Sequence, residues 1–549
     1  MSPSSSGRRH RRGTVTTRGP ATSLHSGALL AGLSFMARLP FDLRRPVDAT
    51  AARAGLRSRL AGRDAAFLDL VSRGVLANPA NPTAALLRHA GCELPDLERS
   101  LGQDGLDATL EHLFAAGVYL TVDEFKGRRP VRRGSLEVEA GPDRMRNPRA
   151  AHHVAAASGG SRSAGTPVFI DMEFVRSAAG NLLLFLADQG ADDTDTATWE
   201  VPGAGARFRL LKFSSLGRPP AAWFSQVDPS LAALHPVFRW NTRAIRAASL
   251  LALRPVPLPV FCPPADPAPA LAWLAAQRSR GRRSTLFTFP STAVALGEAA
   301  ARQGVGLDHV HLILGGEPIT RARLTAATAT GARAVPRYGS VECGPIAYGC
   351  LAPSESDDAH LLADLHALVQ PGAAGAAAGL PEKALLITAL HPRAPFALLN
   401  VSMGDAATLE RRECGCPLEE RGWHPHLREI RSFEKLTAGG MTFLGTDVAR
   451  ILEETLPATF GGGPTHYQLC EEEQPDGRAT LSLLVSPEVG AISEAAVAEA
   501  FLAALGQDTP AETMMTEALR GTVALRVERR QPRPTQAGKL LHVHLLRRR

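Results

Sequence analysis

Arg337-Tyr338-Gly339-Ser340-Val341-Glu342-Cys343-Gly344 follows Gly315-Gly316-Glu317-Pro318 by about twenty residues, and these two stretches decide how the chain reads. Ahead of the paired glycines runs His309-Val310-His311-Leu312-Ile313-Leu314, a short apolar run that predicts a buried strand. A strand that ends in two glycines leaves bare backbone on which something flat can lie. A second tight turn at Tyr338-Gly339-Ser340 can offer the same object an aromatic face and backbone hydrogen bonds, and Glu342 sets a carboxylate beside it. A flat base, close backbone and a ligand for a hard cation together imply a nucleotide with magnesium.

Two further stretches extend this reading. Ser158-Gly159-Gly160-Ser161-Arg162-Ser163-Ala164-Gly165-Thr166-Pro167 is rich in small hydroxyl residues and glycine, which can turn successive N–H and O–H groups toward phosphate oxygens. Gly160 and Gly165 have P-loop spacing, but Thr166 stands where that motif needs a lysine. Val168-Phe169-Ile170 predicts a strand directly after the loop, so an ordered turn is expected. Gly404-Asp405 follows the apolar run Phe396-Ala397-Leu398-Leu399-Asn400-Val401, and a carboxylate at a strand end can accept both hydroxyls of a ribose.

In this order and spacing the motifs resemble the adenylate-forming superfamily, the acyl-CoA synthetases and their relatives, and most nearly its phenylacetate–CoA ligase branch. The resemblance covers roughly residues 120–549. It implies that Tyr338, Gly339 and Ser340, with Gly315, Gly316 and Glu317, hold adenine, and that Glu342 holds magnesium. It implies further that Ser158, Gly159, Gly160, Ser161, Ser163, Gly165 and Thr166 hold phosphate, and that Asp405 holds ribose. Glu429-Ile430-Arg431-Ser432-Phe433-Glu434-Lys435, followed by Gly439-Gly440, resembles the family's hinge between a large domain and a small mobile one, with Arg431 reaching ribose or phosphate. Pro534-Thr535-Gln536-Ala537-Gly538-Lys539 resembles the turn that carries the family's catalytic lysine. This chain has 61 Lys+Arg but only five lysines, Lys126, Lys212, Lys383, Lys435 and Lys539. A chain so committed to arginine can keep lysine where a compact, flexible point charge matters. The sequence departs from the family pattern at Val341 (usually Thr), at Ile430 and Phe433 (usually the hinge glycine and acid), and at Asn400 and Ser402, where an arginine is usual.

Composition narrows the classes. The net charge is +7. Arg8, Arg9, Arg11, Arg12 and Arg18 at one end and Arg547, Arg548 and Arg549 at the other account for more than all of it. The body is therefore close to neutral, which argues against a nucleic-acid groove. Residues 24–39 are too few and too polar to span a bilayer, so no membrane partner is expected and the expected location is cytoplasmic. Residues 1–40 read as a disordered basic tail, or as sequence ahead of a true start at Met36. Seven dispersed cysteines argue against a disulfide framework. Cys414-Gly415-Cys416, with Cys350 and His360, can offer a structural zinc four ligands; Cys343 competes as a ligand, and the set can equally be small buried hydrophobes.

At 549 residues the chain needs about three units. Residues 41–430 are expected to form a large adenylation domain with a helical lead-in to about residue 125 (helices over 51–76 and 106–116), then an α/β body with a largely parallel sheet. Residues 254–269 read as an extended connector and 371–381 as a surface loop. Residues 431–549 are expected to form a small mobile α+β domain with helices over 448–456 and 494–505 and strands over 465–470, 479–485 and 523–528.

The function these readings imply is ATP- and magnesium-dependent activation of a carboxylic acid, aryl or arylacetic by branch resemblance, to an acyl-adenylate, then transfer to coenzyme A. Transfer to an amine, nitrite or carrier-protein thiol, and a non-catalytic nucleotide-binding protein, stand as alternatives. A homodimer is left open.

Overall fold

Strands Ser284–Thr288 and Val310–Leu314 are buried at every position, the pattern of central strands covered on both faces. They lie in the parallel half of a 12-stranded sheet. From one edge this half runs Pro259–Phe261, Ala222–Ser225, Asp195–Glu200, Ser284–Thr288, Val310–Leu314 and Arg333–Ser340, every neighbouring pair parallel. The order then continues Gly344–Gly349, Ala359–Leu361, Pro425–Ser432, Val401–Arg411, Ala384–Ala389 and His366–Val369, with antiparallel pairing throughout. The handover falls at Ser340–Gly344, so the motif that begins at Arg337 marks the seam between two sheet regimes. The expectation of a largely parallel sheet holds for one half only.

This computed structural model describes residues 26–150, 153–157, 166–228, 236–433, 437–438, 441–442, 448–473, 479–505, 525–535 and 538–546. Ser26–Arg44 is a helix whose Phe35, Leu39 and Leu43 are buried, so the tail expected to residue 40 is folded chain from Ser26 onward. The helical lead-in divides more finely than expected. Ala49–Ala61 ends at Gly62, Arg63–Asp69 follows, and Leu70–Leu76 is π-helical. The helix predicted over 106–116 is the second half of Leu94–Ala115, which kinks at Gly105. The supposed connector contains the edge strand Pro259–Phe261, and the supposed loop near 371–381 contains the 3-10 helix Gly372–Ala378. Among the described residues no helix is long and apolar enough to cross a membrane.

The C-terminal region builds its own core. Val448, Ile451, Leu452 and Leu456 pack with Leu469, Leu483, Val497 and Phe501 over a four-stranded sheet ordered Arg526–Arg529, Ala479–Val485, Tyr467–Glu473, Val543–Leu546. The helix Glu494–Leu505 and strand Ala479–Val485 match their expected bounds. The strand Val543–Leu546 lies beyond those expected. It pairs parallel with Tyr467–Glu473 and begins four residues after Lys539, so the lysine sits on a loop tied at its far end into the domain's sheet.

Candidate active site

The parallel register sets Leu314 opposite Pro336, which brings the paired glycines against Arg337 and Tyr338. Gly316 has φ +89, and a Cβ there would lie 2.9 Å from the Phe289 ring and 3.4 Å from Lys539 Cε. Both the backbone conformation and the close neighbours therefore call for glycine. The same contact reports a larger fact: the stem of Lys539, 223 residues away in sequence, lies over the glycine turn.

Tyr338 and Gly339 are not a free tight turn, as expected. They end the strand Arg333–Ser340, with a bulge between them, and the reversal is made by residues 341–343. Ser340 Oγ accepts the Cys343 N–H at 3.0 Å and so closes that reversal. The Tyr338 hydroxyl donates to Asp405 Oδ2 at 2.8 Å. Burial, and then the neighbouring Asp405 charge, push the phenol well above its ordinary pKa. Asp405 is inside the strand Val401–Arg411, opposite Ser432, rather than at a strand end; the apolar run before it is mostly irregular chain. Two motifs 67 residues apart in sequence thus meet through one hydrogen bond. Glu342 is half-buried, and among the described residues no hydrogen bond or ion pair engages it.

Arg431 is adjacent to this site on the neighbouring strand, opposite Ala406. Its guanidinium is held by Asp357 Oδ2 at 3.0 Å, and Asp357 also accepts the N–H groups of Glu429 and Ile430 at 2.9 and 2.8 Å. Ser158, Gly159, Gly160, Ser161, Ser163 and Gly165 lie outside the described residues, as do Gly439 and Gly440 of the expected hinge. The strands His153–Ala157 and Pro167–Asp171 that flank the phosphate-loop stretch pair antiparallel, with Ala157 opposite Pro167 and the buried Thr166 at the base of that hairpin.

Glu317 departs from its expected role. Its side chain is fully buried, and its two oxygens take four donors: Ser291 N–H at 2.9 Å and Oγ–H at 2.8 Å, Arg323 Nη1 at 3.1 Å and Leu540 N–H at 2.6 Å. A carboxylate has about four lone-pair sites, so this one is saturated by protein and has none left for a nucleotide. Around Arg337 lies a second buried set that sequence reading missed. Glu200 takes both arms of Arg209 at 2.6 and 3.0 Å. The Lys212 ammonium sits 5.3 Å from the centre of the Phe208 ring, and its pKa is driven well down by burial and by Arg209 and Arg337. Phe208, Arg209 and Lys212 share the helix Ala204–Ser215, but Glu200 and Arg337 reach them from two different strands, which no local spacing announces.

The cysteine–histidine set does assemble. Cys350, His360, Cys414 and Cys416 place their ligand atoms within 4.8 Å of one another. His360 Nε2 is 3.1 Å from Cys416 Sγ and 3.6 Å from Cys414 Sγ, and the Cys350 and Cys416 sulfurs are 3.9 Å apart. Tetrahedral zinc thiolates require sulfur–sulfur separations of about 3.8 Å. His360 Nδ1 hydrogen-bonds Trp423 O at 2.6 Å, which makes Nδ1 the protonated nitrogen and leaves the Nε2 lone pair facing the sulfurs. Burial lowers the His360 pKa to about 4, keeping the ring neutral as a ligand must be. Arg412 sets a cation 3.7 Å from Cys350 Sγ. Cys343 is not in this group; it is in the reversal beside Glu342. The strand Gly344–Gly349 separates Cys350 from that reversal by about 20 Å at 3.4 Å per residue.

No family model matches the chain, and no curated protein shows significant similarity to it. Solved structures do. 2-Hydroxyisobutyryl-CoA ligase in the postadenylation state in complex with 2-HIB-AMP superposes with a TM-score of 0.54 at 15% identity, covering 92% of this chain and 91% of that one. The same ligase in the thioesterification state, with 2-HIB-AMP and CoA, gives 0.48 at 14% identity over 92% and 91%. The amide bond synthetase McbA from Marinactinospora thermotolerans gives 0.36 at 14% identity over 92% and 97%. Identities this low speak for fold and not for substrate. The chain thus has the mixed α/β fold of the adenylate-forming acyl-CoA ligases, with its large sheet and separate C-terminal domain.

Proposed function

We propose that this protein is an AMP-forming acid–thiol ligase, activating a carboxylic acid with ATP and transferring the acyl group to coenzyme A. The observation that carries the reading is the convergence on one seam: Lys539 over Gly316, the glycines against Arg337, and Tyr338 bonded to Asp405. A cation from one domain over a glycine turn of the other, with a carboxylate–phenol pair whose phenol is on the strand that neighbours that turn, has the parts needed to hold a nucleotide and neutralise charge as it develops.

In this reading adenine lies on the Tyr338–Gly339 end of its strand and Asp405 accepts ribose hydroxyls. The substrate carboxylate attacks the α-phosphorus, pyrophosphate leaves, and the Lys539 ammonium stabilises the charge gathering on the phosphoryl and carboxyl oxygens. Glu342, open beside the turn, would hold magnesium, which would offset phosphate charge there. The small domain then turns, with Arg431 at its hinge, to admit the thiol. Aryl and arylacetic acids are the proposed substrates, on the sequence's resemblance to the phenylacetate–CoA ligase branch. Cys350, His360, Cys414 and Cys416 would hold a structural zinc, a reading supported by their mutual distances and by the tautomer that Trp423 imposes.

The test is ATP–pyrophosphate exchange across a panel of aryl, arylacetic and fatty acids. Exchange is expected with aryl or arylacetic acids. Exchange with no acid in the panel, by folded protein supplied with magnesium, would overturn the activity.

A further inference from the structure

The catalytic lysine has to be placed to within a fraction of an ångström by a loop that belongs to a different domain from the rest of the site. The loop's own bonds close it into a turn: Thr535 N–H donates to Lys539 O at 2.8 Å, and Thr535 Oγ1 accepts the Lys539 N–H at 3.1 Å. What fixes that turn against the body is a set of groups not used by the reaction described above.

On the side preceding the lysine, Gly538 has φ +73 and is pressed onto the body so closely that a Cβ would fall 2.0 Å from Gln226 Oε1 and 2.7 Å from Val201. On the side following it, both backbone groups of Leu540 are taken by the body. Its N–H donates to Glu317 at 2.6 Å, and its C=O accepts Arg323 Nη2 at 3.3 Å. Arg323 also reaches across to the small domain's Glu453, Nε lying 2.6 Å from Oε1. Thr320, which caps the helix Arg321–Thr328 through the Arg323 N–H at 3.3 Å, donates its hydroxyl to the same Glu453. Glu453 is bonded in turn to His542, two residues beyond Leu540. The side chains of Glu317, Arg323 and Glu453 are at most 2% exposed.

We infer that Glu317, Arg323 and Glu453 form a buried interdomain latch that positions Lys539 for the acid-activating step. Arg323 is its centre, since one planar guanidinium spans the body's carboxylate, the small domain's carboxylate and the carbonyl next to the lysine. The chemistry suits a reversible contact. Buried ion pairs contribute register more than net stability, because desolvation offsets most of their attraction. When the small domain turns, water can solvate both carboxylates and the arginine. The latch therefore specifies one pose without making it permanent. These are positioning residues, and the inference rests on the acid-activating reading of Lys539.

The experiment compares wild type with Glu453→Gln, Arg323→Lys and the milder Thr320→Val, after checking that each melts cooperatively. Two half-reactions are measured, ATP–pyrophosphate exchange and transfer to coenzyme A from a chemically supplied acyl-adenylate. Hydrogen exchange at the Leu540 amide reports docking without any substrate. Glu453→Gln is expected to lower pyrophosphate exchange by at least about tenfold, to leave transfer unchanged or faster, and to raise Leu540 amide exchange. Arg323→Lys should fall between, since a single ammonium cannot span all three partners. Unchanged Leu540 protection in Glu453→Gln, or an equal loss in both half-reactions, would overturn the latch. Loss of Leu540 protection in the variant alongside a wild type inactive on every acid would support the latch while failing the activity it was assigned.

Discussion

Two pairs of carboxylates flank the glycine seam, and they are built differently. Glu317 and Glu453 are buried and met by protein donors on every side. Glu342 and Asp405 are half-exposed; Glu342 has no hydrogen-bond or ion-pair partner among the described residues, and Asp405 makes its bond to Tyr338. A buried carboxylate taken up by three or four protein donors can hold a loop in place but has little left to offer a ligand; a half-exposed one keeps lone pairs for it. The difference separates placing from binding, and substitutions on the two sides should part company accordingly.

The largest effect belongs to the cation over Gly316. Lys539→Ala should lower acyl-adenylate formation about a thousandfold, the scale of losing a charge aimed at a developing oxyanion. Transfer from supplied acyl-adenylate should stay within about tenfold, a difference near 1.4 kcal/mol. Equal loss in both steps would show that the lysine serves the fold and not the first step.

Next come Glu342 and Glu317 set side by side. Glu342→Gln should cost about a hundredfold in pyrophosphate exchange, as for loss of one electrostatic partner of the transition state, with an unchanged melting temperature. Glu317→Gln puts an amide N–H₂ against donors that need an acceptor, so it should lower the melting temperature and raise Leu540 amide exchange. If the two variants showed the same profile, the separation of placing from binding would collapse.

Removing metal should act on stability without touching the seam. Purified protein is expected to carry about one zinc per chain, and Cys414→Ser to lower both zinc content and melting temperature. Elemental analysis and calorimetry check this; metal-free protein indifferent to chelation would sink it. Asp405→Ala should weaken ATP binding by about tenfold in calorimetry, near one lost charged hydrogen bond, with little change in melting. It should also bring the Tyr338 phenol back toward the ordinary tyrosine pKa, because the neighbouring charge that helps raise it is gone.

The smallest effect is pH. Burial lowers the His542 pKa from its ordinary 6.5, and Arg323 and the other donors hold Glu453 down at about 2. Both folded values lie below the unfolded ones, so both groups favour docking at high pH and lose that contribution on acidification. Leu540 protection should be flat above about pH 6.5, decline as His542 is driven to protonate, and fall further between about pH 4 and 2 as Glu453 does. Protection that rose on acidification would reverse the sign and remove Glu453 from the latch.

Much of the seam is legible in the sequence. Val310–Leu314 announces itself as a continuous apolar run, the paired glycines follow it, and Tyr338, Asp405 and Lys539 stand in stretches with recognisable local chemistry. The four zinc candidates can be named because cysteine and histidine are scarce enough to be conspicuous. Glu317 misleads by adjacency: next to a glycine turn it looks like a binding residue, while its side chain points to partners at Ser291, Arg323 and Leu540. Arg323 and Glu453 give no signal, since an arginine on a polar helix and a glutamate 130 residues later look like ordinary surface charges.

What this sequence determined by itself is therefore local: apolar runs, glycine turns, and residue types suited to phosphate, base and metal, all set by interactions within a few residues along the chain. Tertiary structure alone decided that the sheet changes from parallel to antiparallel pairing at Ser340–Gly344, that Tyr338 meets Asp405, and that Lys539 crosses from its own domain to Gly316. It also decided which carboxylates hold and which are open, because burial and donor count depend on what the rest of the chain packs against them.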